Sequence, residues 1–297
     1  MAFPISVFRA QVDNNLGAKT DTDILDNLSR HRHIKAALET YSQDMPDTYT
    51  EDESGDGGRY YPLTGVDAVL ANWQDDFSQV TAIEYPAQAV SADESPIYLD
   101  SEDWRDDYDV AGVTYLFLPN HAPASDETMR VTFTVPYNWT ESGVTTAVEQ
   151  VGHGFSDEDY IYQDGSTWYA ADEQRVATHI VESVTDSDNF TAAELQADVP
   201  VAHFFAICDL ATAYCCEAIA TGYSNTSDST ITADSVNHPT RAAEFAKRAR
   251  AFETKYRAAL GLDADSEKSE RAASAFADWD TEPTFPHGRR YLYHRRR

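Results

Sequence analysis

Carboxylates are the side chains whose spacing in this sequence comes nearest to a chemical site. Residues 101–109 hold five of them within nine positions, and such a cluster could coordinate a hard divalent cation through oxygen ligands. The segment lacks the glycine spacing of an EF-hand loop, and acidic residues are common along the whole chain, so we expect solvated carboxylates here. Asp75 and Asp76 could form an acid–base pair, but the sequence offers no partner residue for them.

Cysteine and histidine show no pattern typical of a metal centre. Cys208, Cys215 and Cys216 lie in one apolar stretch, whereas a zinc site would need a second ligand pair at characteristic spacing. We therefore expect all three to pack in the core as small apolar side chains. His31 and His33 are two positions apart on a predicted helix, so they point to different faces and are expected to be partly exposed.

Motifs of known enzyme classes are also missing from the sequence. It contains no Walker-type phosphate loop, no GxGxxG fingerprint and no GxSxG nucleophile elbow. We predict that the protein is not an enzyme, has no catalytic or metal-binding residues and uses no cofactor. The enzymatic alternative is a halophilic metal-dependent hydrolase that uses the carboxylates of residues 101–109.

The chain is strongly and unevenly charged. It has 51 acidic and 22 basic residues, which gives a net charge of −29. Such self-repulsion needs screening, and the scarcity of lysine, with 5 residues, resembles proteins of organisms that keep molar salt around their proteins. Residues 239–297 differ from the rest, because they hold 13 basic and 9 acidic residues. A basic end on an acidic chain suggests a partner of its own.

Three classes of protein are disfavoured by these features. Sequence-specific nucleic-acid binding needs clustered lysine and arginine over the binding surface. No uninterrupted apolar run approaches about 18 residues, so we expect no membrane contact. The first residues lack a basic segment followed by an apolar one, so we expect no signal peptide.

Hydrophobic periodicity predicts helices towards both ends of the chain and strands between them. The predicted helices are 20–44, 66–77, 201–223, 239–260 and 266–279, with a capping box at 191–194. Alternating patterns predict four short strands within 78–137 and irregular β structure over 140–190. In the last hairpin, one helix should bury four residues against three from the other, namely Phe204, Ile207, Leu210 and Tyr214 against Phe245, Phe252 and Tyr256.

The fold predicted from these elements is α+β. It is a helical bundle, made of an N-terminal helix and a C-terminal helical hairpin, with an inserted antiparallel β domain and an extended C-terminal arm. Four segments follow along the chain: an N-terminal helical part, the inserted β domain, the C-terminal helical hairpin and the basic arm. Their predicted bounds are 1–77, 78–190, 191–262 and 263–297, in that order.

Several segments resemble the head–tail adaptor, or connector, proteins of tailed viruses. The clear part covers residues 200–262, through the helix segment 213–220, the linking loop 228–236 and the last-helix segments 244–249 and 256–262. A looser similarity extends to the strand segments 83–87, 115–118 and 130–135. Residues 138–195 have no counterpart in that family.

The resemblance implies a structural virion protein located in the neck, at the head–tail interface. Proteins of that family form a homo-oligomeric ring, usually of twelve copies, between the portal protein and the next neck or tail protein. Genome DNA passes through the lumen without sequence-specific contact. A virus of a halophilic, haloarchaeal host would account for the acidity. The alternative within the virion is another neck, tail-completion or baseplate protein.

The resemblance also implies that the C-terminal segment docks on the portal. Residues 283–297 hold five arginines and no acidic residue, and Pro283 and Pro286 favour an extended arm. We expect bidentate arginine–carboxylate pairs and apolar anchors to bind the portal or a neighbouring subunit. The nine predicted docking residues are Phe285, Arg289, Arg290, Tyr291, Leu292, Tyr293, Arg295, Arg296 and Arg297.

Overall fold

A computed structural model describes residues 1–17, 25–87, 95–164, 166–172, 176–224, 241–262, 280–281 and 292–293. The chain divides into two compact units. We call Met1–Ala37 together with Trp139–Arg297 the terminal unit, and Leu38–Asn138 the middle unit.

Helices lie near both ends of the chain, and strands occur along most of its length. The helices of the described residues are α1 (Ile5–Leu16), α2 (Asn27–Asp44), α3 (Val201–Ser224) and α4 (Arg241–Leu260). The first strands are β1 (Ala2–Pro4), β2 (Asp47–Ser54), β3 (Tyr60–Pro62), β4 (Val80–Glu84), β5 (Arg105–Val110), β6 (Val113–Phe117) and β7 (Thr128–Val135). The others are β8 (Trp139–Glu149), β9 (Tyr160–Asp164), β10 (Thr167–Ala170), β11 (His179–Asp186), β12 (Asn189–Asp198), β13 (Asp280–Thr281) and β14 (Leu292–Tyr293).

The terminal unit is built on a six-stranded antiparallel sheet centred on β12. Strand β8 pairs along most of β12. Strand β11 pairs with the first part of β12, and β1 pairs with its last residues. Strands β9 and β10 extend the sheet beyond β11. One apolar cluster on this sheet brings together Ile161, Trp168, Val181, Phe190 and Ala192.

Helices α1, α3 and α4 pack together in the terminal unit. Helix α3 packs against both α1 and α4 and is apolar on almost every side, as expected of a central helix. The Tyr223 ring near the end of α3 stacks on Phe245 near the start of α4, with ring centroids 6.0 Å apart. Towards the other end of the pair, Lys255 of α4 lies close enough to Asp209 of α3 for their charges to interact. The two helices are therefore antiparallel, and the predicted hairpin is confirmed.

The predicted burial is correct for five of the seven hairpin residues, and the ring of Phe204 packs on Phe3 and Phe8. Phe204, Ile207, Leu210, Phe245 and Tyr256 are buried. Tyr214 and Phe252 are half-buried. Helix α4 ends as predicted at Gly261, whose φ of 70° lies in the left-handed region that glycine adopts without a steric penalty.

An aromatic cluster fixes α1 against the rest of the terminal unit. Phe8 is fully buried, and its ring centroid lies 4.9 Å from that of Phe204 and 5.4 Å from that of Trp139. Phe3 in β1 stacks on Phe204 with centroids 4.4 Å apart. Aromatic pairs at these distances contribute free energy beyond that of the area they bury, so this cluster helps to stabilise the unit.

The middle unit contains two three-stranded antiparallel sheets arranged like a β-sandwich. One sheet has the order β2–β7–β4 and the other β3–β6–β5. Every second residue of β7 is buried, namely Met129, Val131 and Phe133, so one face of the strand lies in the core. Leu116 of β6 and Tyr61 of β3 enter the same apolar cluster from the second sheet.

The predicted fold class is wrong. The protein is a mixed α/β structure made mostly of antiparallel sheets, and not a helical bundle with an inserted β domain. Strands lie on both sides of the predicted insertion, because β2 and β3 precede residue 78 and most of β12 follows residue 190. Strands β8 and β11, of 11 and 8 residues, lie in the segment 140–190 where only irregular β structure was predicted, although the pairing of β11 with β12 has two register shifts.

Three local predictions also differ from the structure. Residues 66–77 form a series of turns rather than a helix. The capping box at 191–194 lies inside β12, which carries a register shift against β8 between Ala193 and Leu195. Helix α2 starts at Asn27, later than predicted, where an Asp26 carboxylate oxygen accepts the Ser29 N–H at 2.7 Å. The predicted helix 266–279 lies outside the described residues.

Arg248 is expected to stabilise the terminal unit by capping α1. Its Nη2 donates to the carbonyl oxygens of Asn15 at 3.2 Å and Leu16 at 3.0 Å, in the last turn of α1. The substitution Arg248→Gln should lower the free energy of unfolding by about 1–2 kcal/mol, because these carbonyl groups lose a charged donor. Chemical denaturation monitored by circular dichroism measures this loss.

The matched control for this prediction is Arg250→Gln, two positions along the same helix. Arg250 is exposed, so its replacement should change the free energy of unfolding by less than about 0.5 kcal/mol. Equal effects of the two substitutions would show that the contacts with α1 contribute nothing.

Candidate functional surfaces

Three of the five carboxylates in residues 101–109, those of Asp103, Asp106 and Asp109, accept hydrogen bonds from neighbouring segments. A carboxylate oxygen of Asp106 accepts the Val80 N–H at 2.7 Å, and Asp103 accepts from the Asn120 side chain at 2.7 Å. In the part of the chain that the structure describes, no group of three or more His, Cys, Asp or Glu is arranged to hold a metal ion. Asp76 has a φ of 64° in a turn, next to Asp75.

The three cysteines are buried, as predicted, and are not bonded to one another. Burial raises the pKa of the Cys208, Cys215 and Cys216 thiols above the ordinary value. Since the thiolate is the nucleophile and the metal ligand, these groups are unreactive near neutral pH. Their contribution is packing inside α3.

The prediction for His31 is wrong, because this side chain is buried, with 3% of its surface exposed. Burial, together with the charges of Arg9 and Arg30, lowers the pKa of His31 to about 4. His33 is half-buried, and burial also lowers its pKa. The sequence signal for His31 was ambiguous, because a polar residue on a helical stripe is consistent with either environment.

The predicted docking arm is described at two of its nine residues. Leu292 and Tyr293 form β14, which pairs with Thr281 and Asp280 in β13. Phe285, Arg289, Arg290, Tyr291, Arg295, Arg296 and Arg297 lie outside the described residues. The docking role of the arm stays a prediction.

Helix α4 presents a basic surface on an acidic protein. Its sequence has six basic and two acidic residues. The exposed cations are Arg241, Lys247, Arg250 and Lys255. Two of these cations lie over aromatic rings of the hairpin, with Arg241 5.5 Å from the Tyr223 centroid and Lys255 4.6 Å from the Phe252 centroid. A negatively charged partner would complement this surface.

The sheet β3–β6–β5 of the middle unit carries clustered aromatic side chains that sequence reasoning missed. Tyr60 stacks on Phe117 with ring centroids 4.7 Å apart, and Tyr108 lies 5.3 Å from each of them. Tyr60 and Tyr108 are exposed. The available signal was the alternation in β6, which directs Leu116 to the core and Phe117 to the opposite face.

Helix α3 is long and apolar enough to cross a membrane by length and composition, with a mean hydropathy of 1.4 over its most apolar window. The prediction from apolar runs did not find it, because isolated polar residues such as Asp209 and Glu217 interrupt the run. Inside the protein, 61% of that window is buried. This burial is typical of a core helix packed by its neighbours.

Comparison with known proteins returned no family model, no curated protein and no solved structure that matches this chain. Function must therefore be inferred from the residues and surfaces of this chain alone. Among these, the α3–α4 hairpin coincides with the segments on which the viral resemblance depends.

Proposed function

We propose that this protein is a structural virion protein, a head–tail adaptor that forms a homo-oligomeric ring between the portal protein and the next neck or tail protein. The observation that carries the proposal is the α3–α4 hairpin. The segments 213–220 and 244–249, which resemble the adaptor family, lie in its two antiparallel helices, and the third such segment, 256–262, covers the end of α4 and the two residues after it. The resemblance and the packing thus concern the same part of the chain.

The distribution of charge supports assembly through this hairpin. The net charge of the chain is −29, while α4 presents a basic surface. Two copies of a uniformly acidic protein would repel each other, whereas a basic helix can face the acidic surface of a neighbouring copy. A ring is the closed form of such head-to-tail contacts.

The acidic remainder of the surface suits a channel for DNA. DNA-binding surfaces hold phosphates with clustered lysine and arginine, and their affinity grows with the number of such contacts. A wall dominated by carboxylates makes few of these contacts, so the genome could slide past it. The charge of the surface therefore favours a passage for DNA over a binding site for it.

The first experiment on this proposal measures the oligomeric state. Size-exclusion chromatography with light scattering in molar salt should give the mass of a closed ring, for which twelve copies are expected from the resemblance. The salt is needed because it screens the charge of −29. A monomer at all protein concentrations would contradict the proposal.

Removing residues 283–297 is expected to abolish association with the portal and to leave the folded body intact. The arm carries five arginines, and bidentate pairs with carboxylates are its strongest available polar contacts. Co-sedimentation with portal rings measures association, and circular dichroism checks the fold.

A variant of full length provides the control for this deletion. It replaces Arg289, Arg290, Arg295, Arg296 and Arg297 with glutamine and keeps the arm in place. If arginine–carboxylate pairs hold the arm, this variant should lose association as the deletion does. Unchanged binding of the truncated protein to portal rings would refute the docking role.

A further inference from the structure

A cavity of about 240 Å³ lies in the terminal unit between α1, α2 and the sheet. It is smaller than the roughly 300–1,000 Å³ pockets that hold drug-sized ligands. The polar side chains of its lining include Ser6, Arg9, His31, Thr178, His179 and Glu194. They come from both helices, from β12 and from the start of β11, so the fold brings them together from distant parts of the sequence.

Several of these residues are held in place by hydrogen bonds. A Glu194 carboxylate oxygen accepts the Ser6 N–H in the first turn of α1 at 2.7 Å. The Thr178 hydroxyl and the His179 Nδ1 are 2.9 Å apart and share a hydrogen bond. Thr178 is buried, with 3% of its surface exposed. The lining is therefore preorganised, which lowers the entropy cost of binding a ligand.

His31 is the incomplete group in this cavity. It is 3% exposed, and its Nδ1 has no hydrogen-bond partner among the described residues. Buried polar groups in proteins are almost always hydrogen-bonded, so an unmade bond at such a depth destabilises the fold. A ligand in the cavity could supply the missing partner.

The charges on the lining are of opposite sign and are not paired with each other. Arg9 is half-buried and makes no hydrogen bond or ion pair with any residue that the structure describes. Glu194 carries the opposite charge in the same cavity. Burial lowers the pKa of both His31 and His179, so these imidazoles are neutral at pH 7. The formal charges of the polar lining therefore cancel.

We propose that this cavity binds a small zwitterion of the α-amino acid class, with the ligand carboxylate at Arg9 and the ligand ammonium group at Glu194. A net anion would be opposed by Glu194. A net cation would be opposed by Arg9. A zwitterion satisfies both charges and brings no net charge into a partly buried site. This site is independent of the proposed ring.

The test is equilibrium dialysis of the full-length protein in molar NaCl with radiolabelled alanine as the probe. The proposal expects saturable binding of a single alanine per chain. Unlabelled glycine, which is also a zwitterion, should compete with alanine for the cavity. Acetate and methylammonium each carry only one of the two charges, so they should compete at least about tenfold more weakly than glycine. Absence of saturable alanine binding, or equal competition by acetate, would overturn the proposal.

Two substitutions locate the bound alanine. Arg9→Gln and Glu194→Gln should each weaken binding about tenfold or more, while Arg250→Gln on the exposed surface of α4 should leave it unchanged. Glutamine at 194 keeps an acceptor for the Ser6 N–H, so the start of α1 is preserved. Full binding by both cavity variants would place the alanine elsewhere and refute the assignment. The competition series with the unmodified protein decides the question even where a variant fails to fold.

Discussion

Replacing Phe8 with alanine should lower the free energy of unfolding of the terminal unit by about 3–5 kcal/mol, the usual cost of truncating a buried phenylalanine. Phe8 has no exposed surface, and its ring meets Phe3, Phe204 and Trp139 at centroid distances of 6.2, 4.9 and 5.4 Å. The cavity left behind would be lined by residues of α1, α3 and β8.

Trp139 is one of the five tryptophans whose fluorescence reports on unfolding, and its ring contacts Phe8 directly. Denaturant titration in molar salt, followed by tryptophan fluorescence and circular dichroism, gives the unfolding transition. The control is Val7→Ala, one residue earlier in α1, because Val7 is 42% exposed. A loss for Phe8→Ala that is no larger than that for Val7→Ala would contradict the assigned role of the aromatic cluster.

The substitution Gly55→Ala should destabilise the middle unit by about 3 kcal/mol. A Cβ atom at this position would overlap the backbone carbonyl oxygens of Pro123 and Ala124. Backbone atoms cannot turn aside as a flexible side chain can, so the two segments must separate. Separation would strain the hydrogen bonds from Gly55 N–H to Glu127 and from Gly57 N–H to Pro123, both 2.8 Å.

Gly57→Ala is the matched control for this second prediction. Gly57 has a φ of 81° but no atom within 4 Å of an added Cβ, so alanine there costs only the left-handed conformation, about 1–2 kcal/mol. Thermal unfolding of the two variants should rank Gly55→Ala as the less stable. The reverse order would show that the loop containing Pro123 and Ala124 moves away from the added Cβ at little cost in free energy.

The sequence was most informative where a single element decides its own environment. Helix α3 is apolar on nearly all sides, and that pattern alone predicts a central helix. The apolar stripe of α4, which contains Phe245 and Tyr256, likewise predicts that this helix packs against α3. The burial of Cys208, Cys215 and Cys216 follows from the same pattern. Helix periodicity is local, so it needs no knowledge of the rest of the fold.

The sheets were harder to predict because strand pairing depends on residues far apart in the chain. In β12 the neighbours Ala192 and Ala193 are both buried, next to the register shift that follows Ala193. The register shift interrupts the alternation of buried and exposed residues that is expected of a strand. The sequence 191–194 therefore looks like the capping box at the start of a helix. Helix α1 was missed although Ile5, Phe8, Val12 and Leu16 have the spacing of a buried helix face. It has no capping side chain at its start, and Glu194 of β12 supplies the acceptor for its first turn.

The candidate surfaces also differ in how far the sequence could predict them. The basic character of α4 can be read directly from its composition. The cavity around His31 could not be predicted, because Arg9, His31, His179 and Glu194 lie in distant parts of the chain and no short motif connects them. Only the three-dimensional arrangement reveals that His31 is buried and lacks a partner at Nδ1 among the described residues.

The order in which the chain is synthesised matters for the terminal unit, because its parts are separated by the whole middle unit. Strand β1 must pair with the end of β12, where Ala2 faces Asp198. At roughly 5–20 residues per second, the ribosome needs about 10–40 s to make the chain between α1 and the end of α3. During that time Phe3 and Phe8 lack their shared partner Phe204, while the contiguous middle unit can already fold. The apolar face of nascent α1 is thus incompletely covered until α3 has been made.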